Sequence, residues 1–213
     1  MRSLERTVLM DILLICVADG VVGASFGAIA VSGGQPGWVP VAMSLLVFAG
    51  GAQFATLGIV LAGGNPITAA VAGLLLNSRH LPFGFAVADV VRPTLPGAHL
   101  MIDESVAFAL AQRDRTQARA AYWTCGLLLF ATWNLGVLGG VFAGRLIGDP
   151  NAFGLDAASP VVLLALVLPA LRDRPTLRAA AVGAVIALVT TPLLPSGVPV
   201  ALALAGLLVA GRS

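Results

Sequence analysis

The chain has little charge, and one basic residue type is missing altogether. Only 10% of its 213 residues are charged and none is lysine, whereas soluble domains carry about 25% charged residues. This composition excludes an ordinary cytosolic globule. The lack of lysine also excludes P-loop and Schiff-base chemistry, since both need a lysine amine. The formal net charge of +2 is too small to indicate a nucleic-acid partner.

Cysteines and recognisable catalytic motifs are scarce as well. The two cysteines, Cys16 and Cys125, lie inside apolar stretches without CxxC or metal-ligand spacing. We therefore expect both to be small buried hydrophobic residues. HExxH, Walker and dinucleotide motifs are absent, and we expect no metal, no cofactor and no enzymatic activity.

What the chain has instead is long apolar runs, which make up most of its length. Apolar residues account for 58% of the sequence, and a membrane helix needs about 20 of them in a row. The sequence predicts an all-α integral membrane protein, a single transmembrane domain over residues 1–213 with about six to seven helices, some broken or re-entrant. The apolar segments lie at roughly residues 8–32, 38–62, 66–91, 118–146, 157–171, 176–194 and 197–211.

The N-terminal region imitates a signal peptide, with Arg2 and Arg6 before an apolar stretch. Asp11 interrupts that stretch and no small-x-small cleavage site follows, which indicates a retained first helix. Arginines cluster in residues 92–119 and 172–178, so both connections should face the cytoplasm. Seven full crossings would put the N-terminus outside, against its own arginines. A re-entrant segment among the first three would put it inside, and the sequence leaves both topologies open.

Two apolar segments contain helix breakers near their middles. Gly50-Gly51 lies halfway along the second segment, and Pro82 in the third removes the hydrogen-bonding partner of the Ser78 carbonyl. Broken helices at membrane depth are tolerated where their backbone lines a cavity, a pattern typical of transporters.

Small residues recur at helical spacing and predict close helix packing. They form three faces, made of Gly20, Gly23 and Gly27; of Gly51, Ala55, Gly58 and Ala62; and of Gly136, Gly140 and Gly144. Some of these faces could instead receive a partner subunit.

Polar residues at the centre of the third segment, Asn77-Ser78-Arg79-His80, are the main functional signal. A charge at the bilayer centre costs at least about 2.5–3.5 kcal/mol, so ionisable groups there default to function. Asn77 and His80 share one narrow helix stripe, whereas Arg79 points elsewhere and needs a partner. Asp19, at matching depth in the first segment, is our candidate counter-ion or proton carrier. A purely structural Asp19–Arg79 pair is the equally open alternative.

Gln53 follows the Gly50-Gly51 break, where its amide could bind a solute or satisfy free backbone groups. The candidate site for substrate or coupling-ion binding is therefore Gln53, Asn77, Arg79, His80 and Asp19. His80 is also a candidate proton relay.

Other polar residues lead to further predictions. We expect Asn134 to bond between helices, Trp133 to serve packing, and Asp103-Glu104 to open a helix in the long polar connection. Gly23-Ala24-Ser25-Phe26-Gly27 matches GxSxG, but a hydrolase elbow needs strand, turn and helix. An intramembrane serine protease pairing Ser25 with His80 is one alternative function, and a small-solute channel is another.

One ordered set of residues carries a family resemblance. It comprises Phe26-Gly27, Ser44, Phe48-Ala49-Gly50-Gly51-Ala52-Gln53-Phe54, Arg79-His80, Gly84, Asp103-Glu104, Trp133, Gly136 and Gly154-Leu155-Asp156. In these positions the chain resembles the AzlC family, the large subunit of bacterial branched-chain amino-acid exporters, over nearly its whole length.

The resemblance implies export of branched-chain or other hydrophobic amino acids across the bacterial plasma membrane, driven by protons. It also implies a small AzlD-type membrane subunit as partner. A zwitterionic solute needs a cation for its carboxylate, acceptors for its amine and an apolar wall for its side chain. Arg79 and the broken-helix backbones could supply the first two, and Phe48, Phe54 and Phe83 part of the third.

Overall fold

The fold is known from a computed structural model that describes residues 4–91, 94–146, 168, 170–194, 198–206 and 208. These residues form helices and turns without a β-strand, so the predicted all-α class is confirmed for the described part. In chain order its α-helices are α1 Arg6–Ser32, α2 Trp38–Leu46, α3 Gly50–Leu61, α4 Pro66–Asn77, α5 His80–Ala86, α6 Leu95–His99, α7 Asp103–Leu110, α8 Arg115–Leu146, α9 Arg174–Thr190 and α10 Val198–Ala203.

Several sequence predictions can be compared with these helices. The first and fourth apolar segments are continuous helices, α1 and α8, and both are long and apolar enough to cross a membrane. The second and third segments are each broken in two, as predicted. Two helices of spanning length do not establish the predicted six to seven crossings, which stay a prediction. Most of segment 157–171 lies outside the described residues, as do Arg92 and the motif Gly154-Leu155-Asp156.

The chain divides into two compact units, which we describe separately. The first contains residues 1–53 and 77–150, and the second contains residues 54–76 and 151–213. The candidate site residues Gln53, Asn77, Arg79, His80 and Asp19 all belong to the first unit.

Close packing of α1 against α8 forms the frame of the first unit. A Cβ added to Gly23 would lie 2.8 Å from the carbonyl oxygen of Trp133, and one on Gly140 would press on the carbonyl oxygen of Ala24. Only glycine permits this backbone approach. Two of the predicted small faces are thereby confirmed as a helix interface. In the remaining face, which contains Gly51 and Gly58, a Cβ on Gly58 would meet no atom of the described residues within 4 Å.

Along this interface, residues with higher numbers on α1 contact residues with higher numbers on α8. The Cys16 thiol lies 4.0 Å from the Cys125 carbonyl oxygen, Gly20 packs on Thr132, and Gly27 packs on Val137. The helices α1 and α8 therefore run parallel, with both N-terminal ends on one side. The chain between them must return once from the end of α1 to the start of α8. Both cysteines are buried, as expected.

The long polar connection folds into a helical hairpin along the first half of α8. At the start of the hairpin, the Tyr122 hydroxyl donates to the Gly97 carbonyl at 2.6 Å. At its tip, the buried Ser105 hydroxyl donates to the Leu100 carbonyl at 2.9 Å and accepts from the Ile102 N–H at 3.1 Å. The helix that begins at Asp103 was expected, but its return along α8 was not.

In the second unit, α9 begins where Asp173 caps it. The Asp173 carboxylate accepts hydrogen bonds from the Thr176 hydroxyl at 2.7 Å and the Thr176 N–H at 3.0 Å. These bonds lower the pKa of Asp173, because they stabilise its charged form. Further along α9, a Cβ on Gly183 would lie 2.6 Å from the Ala203 carbonyl oxygen, so this helix too packs through a glycine.

Adjacent glycines on α8 offer a matched test of the α1–α8 interface. We expect Gly140→Ala to lower the free energy of unfolding by about 1–3 kcal/mol, because the methyl group would separate the two backbones. Gly139 is exposed, and Gly139→Ala should leave stability unchanged or raise it by up to about 1 kcal/mol through helix propensity. Thermal unfolding in detergent measures both, and equal effects would contradict the assigned interface.

Candidate functional site

The first interruption separates α2 from α3 at residues 47–49. Phe48 has φ of 41° there and is the only non-glycine residue with positive φ in the described part of the chain. An aromatic residue rarely adopts this conformation, so the surrounding packing must hold it. The Phe48 ring lies 5.0 Å from that of Phe130, near the middle of α8. The break therefore sits at the mid-level of the long helices.

A bond between helices fixes the approach to this break. The Ser44 hydroxyl donates to the Asn134 side-chain oxygen at 2.7 Å, and the Asn134 amide donates to the Phe130 carbonyl at 2.8 Å. The prediction that Asn134 bonds between helices is confirmed.

The second interruption, at Ser78 and Arg79, comes close to the first. The Arg79 Nη2 atom lies 3.7 Å from where a Cβ of Gly51 would be, so the guanidinium reaches the first turn of α3. The first N–H groups of a helix lack partners within it and carry partial positive charge. The two breaks thus place a guanidinium beside a helix N-terminus.

The ion-pair partner of Arg79 is Asp103, and this corrects the sequence prediction. Arg79 Nη1 lies 2.8 Å from Asp103 Oδ2, and both side chains are 42% exposed. Asp19 had been the candidate counter-ion because it lies at matching depth on α1. The prediction was wrong because hydropathy could not show that the connecting hairpin turns inward and carries Asp103 to the guanidinium.

An aromatic contact joins the hairpin tip to the first break. The His99 ring lies 6.1 Å from the Phe48 ring and 5.5 Å from the Phe130 ring. Both interruptions and the hairpin tip therefore meet at one place, which we call the central junction: Phe48, Gly51, Arg79, His99 and Asp103. Sequence reasoning had assigned no role to His99, and it had given Asp103 only a helix-opening one.

Three side chains near the breaks have buried polar atoms without hydrogen-bond partners among the described residues. Gln53 is 0% exposed, and neither its Nε2 nor its Oε1 has a hydrogen-bond partner among the described residues. The same holds for Asn77 Oδ1 and Trp133 Nε1. Leaving a buried polar group unbonded costs about 1–3 kcal/mol, so each needs an explanation. Trp133 had been predicted only to pack, which it does against Gly23 and Gly50.

His80 and Asp19 lie outside the central junction. The Nδ1 atom of His80 lies 2.9 Å from the Asn77 carbonyl oxygen, and its ring meets Phe83 edge-to-face at 5.8 Å. His80 therefore satisfies backbone at the second break. Asp19 is half-buried on α1 and lies within electrostatic range of Glu104. The structure thus brings together Arg79, Asn77 and His80 at one break, and Asp19 near the hairpin.

The hydrogen bonds of the described residues do not join Ser25 to His80. The Ser25 hydroxyl donates to the Val21 carbonyl of its own helix at 3.2 Å, and His80 contacts the Asn77 carbonyl. A serine nucleophile needs a base within hydrogen-bond reach, so nothing in this arrangement favours the protease alternative.

Apolar helices with polar groups at their interruptions are typical of helical transport proteins. More than half of the chain, residues 14–147, matches the family described as AzlC protein. The chain belongs to the AzlC family, which is associated with branched-chain amino-acid transport.

Two relatives extend this assignment. An uncharacterized membrane protein of Helicobacter pylori is 25% identical over 177 residues, which cover 79% of this chain and 76% of the relative. The branched-chain amino acid transport protein AzlC of Bacillus subtilis is 33% identical over 73 residues, covering 34% of this chain and 29% of the relative. No solved structure matches the chain.

Proposed function

We propose that this chain is the large, multi-pass subunit of a secondary transporter that exports branched-chain amino acids across the bacterial plasma membrane. Family membership and the name of the Bacillus subtilis relative support the substrate class. The observation that carries the proposal is the position of Arg79, which lies half-exposed at the second helix break and beside the first break, at the mid-level of α8.

The central junction and its neighbours match the groups of a zwitterionic amino acid. Arg79 and the start of α3 offer a cation and helix-dipole charge for the carboxylate. The oxygens of Gln53 and Asn77 lack partners among the described residues and can accept from the ammonium. Phe48, with Phe83 beside His80, offers apolar surface for a branched side chain.

Export would be coupled to protons. Asp19 is our candidate proton carrier, because it is a half-buried carboxylic acid within α1, and ionisable groups within membrane helices mark proton and substrate pathways. His80 is the candidate relay. A small AzlD-type membrane subunit would complete the transporter, as the family suggests.

The first test removes the guanidinium. We expect Arg79→Ala to reduce valine export to below about a tenth of the wild-type rate, because the carboxylate would lose its charged donor. Labelled-valine export from cells producing a tagged protein measures this, with membrane level checked by the tag. Arg115→Ala is the control, since Arg115 is 72% exposed in its own ion pair. Normal export by Arg79→Ala would contradict the proposal, and non-saturating wild-type flux would favour a channel.

The second test separates binding from folding at Gln53. Because its amide atoms have no partner among the described residues, Gln53→Met keeps the volume while removing a cost of burial. We expect the unfolding temperature to stay equal or rise while valine export falls at least about tenfold. A loss of both together would instead assign Gln53 a structural role, and retained export would exclude it from the pathway.

Parallel packing of α1 and α8 supports one membrane orientation. Arg113, Arg115 and Arg119 lie at the start of α8 and assign that end to the cytoplasm. The Arg6 end of α1 would then be cytoplasmic too, and residues 33–114 would make one net crossing. Of the two topologies left open by the sequence, this is the one with a re-entrant segment.

Thiol labelling tests this orientation. Both native cysteines are buried, so background labelling should be low. We expect a membrane-impermeant maleimide to label Pro36→Cys in intact cells, because the turn after α1 would face outward. Arg115→Cys should be labelled only after the cells are broken. The reverse pattern, or equal labelling of both positions, would contradict the proposed orientation.

A further inference from the structure

Asp103 holds Arg79 in a way that differs from a permanent structural ion pair. The pair is short, at 2.8 Å, yet both side chains are 42% exposed. A structural pair sealed in the interior would be inaccessible, and breaking it would leave an unpaired buried charge. This pair is partly exposed, and its acidic member carries the same functional group as the acid end of an amino acid.

The guanidinium also presents a second face. Asp103 contacts Nη1, whereas Nη2 lies 3.7 Å from the Cβ position of Gly51. Because residue 51 is glycine, no side chain at that position covers this side of Arg79, and the first turn of α3 lies next to it. Because a guanidinium can bind carboxylates through either of its edges, an incoming carboxylate can be bound at Nη2 before Asp103 leaves Nη1.

From this geometry we infer that Asp103 is an internal stand-in for the solute: it occupies Arg79 when the site is empty, and the carboxylate of the amino acid displaces it. The inference rests on the proposed function and adds a gating residue to it. Asp103 neutralises the cation while no solute is bound, which limits the cost of a charge at this depth. On release of the solute, Asp103 returns and prevents rebinding.

The position of Asp103 on the hairpin suits an exchange of Asp103 for the solute carboxylate. Asp103 is the first residue of the short helix α7 and follows a tip held by Ser105. Across from it, a Cβ on Gly84 of α5 would lie 4.0 Å from Met101 Cε, the flexible end of a side chain. The ion pair adds a charged link between the hairpin tip and the second break to the apolar packing of Phe83 and Met101 on the cluster that contains Val87, Val106 and Tyr122. That packing keeps the hairpin in place when Asp103 leaves Arg79.

The experiment compares valine binding with valine transport. An internal competitor lowers apparent affinity by the fraction of time that the site is free. We therefore expect Asp103→Asn to lower the Kd for valine about threefold or more while reducing the maximal export rate about tenfold. Asp103→Glu should retain most of both. Asp89→Asn, which neutralises the 97% exposed partner of Arg115, should change neither quantity.

Binding is measured with labelled valine on purified protein and export on proteoliposomes, both with the co-produced small subunit. Valinol, which lacks the carboxylate, should bind no more tightly to Asp103→Asn than to the wild type. An unchanged or higher Kd for valine in Asp103→Asn overturns the gating role and leaves the proposed function standing. If the wild type itself neither binds nor moves valine, the proposed function fails, and the gating role fails with it.

A charge-exchange variant covers the case in which Asp103→Asn does not fold. In Arg79→Asp combined with Asp103→Arg, a purely structural pair would be rebuilt and both folding and export would return. The gating role predicts a return of the protein level without export, because the guanidinium has left the start of α3. Restored export would overturn the proposal.

Discussion

The structure depends on one constraint, the backbone contact between α1 and α8. Gly23 and Gly140 let each helix reach the carbonyl oxygens of the other, and this contact fixes the two helices in parallel. Dispersion between closely placed backbones must supply the attraction that water would supply elsewhere. Because the register is set at several glycines at once, the middle of α8 becomes a fixed level to which the rest of the first unit is tied.

The polar groups are arranged around that level. Phe130, Trp133 and Asn134 face the break between α2 and α3, and the hairpin returns the chain to the same height. A protein that needed only stability would fill such a place with apolar side chains, since charged groups at membrane depth and unbonded buried amides are both costly. Polar groups at this depth, such as the Arg79–Asp103 pair and the unbonded amide of Gln53, are instead typical of a site that binds a polar solute.

Sequence patterns predicted the features that depend on neighbouring residues, but they did not predict contacts between residues far apart in the chain. Helix breakers predicted both interruptions, and glycine spacing predicted both faces of the α1–α8 interface, because these depend on residues within a few turns of each other. The partner of Arg79 could not be predicted in this way. Asp19 and Asp103 carry the same charge, and only the inward turn of residues 95–110, fixed by the Tyr122 and Ser105 hydrogen bonds, decides between them.

The parallel pairing of α1 with α8 also sets the timing of assembly during synthesis. Cys16 and its contact Cys125 are 109 residues apart in the chain, a distance that a ribosome covers in roughly 5–20 s. Throughout that interval the glycine face of α1 has no α8 to pack against. Helix α1 is therefore made well before its permanent neighbour and can bury its glycine face only after most of the first unit has been synthesised.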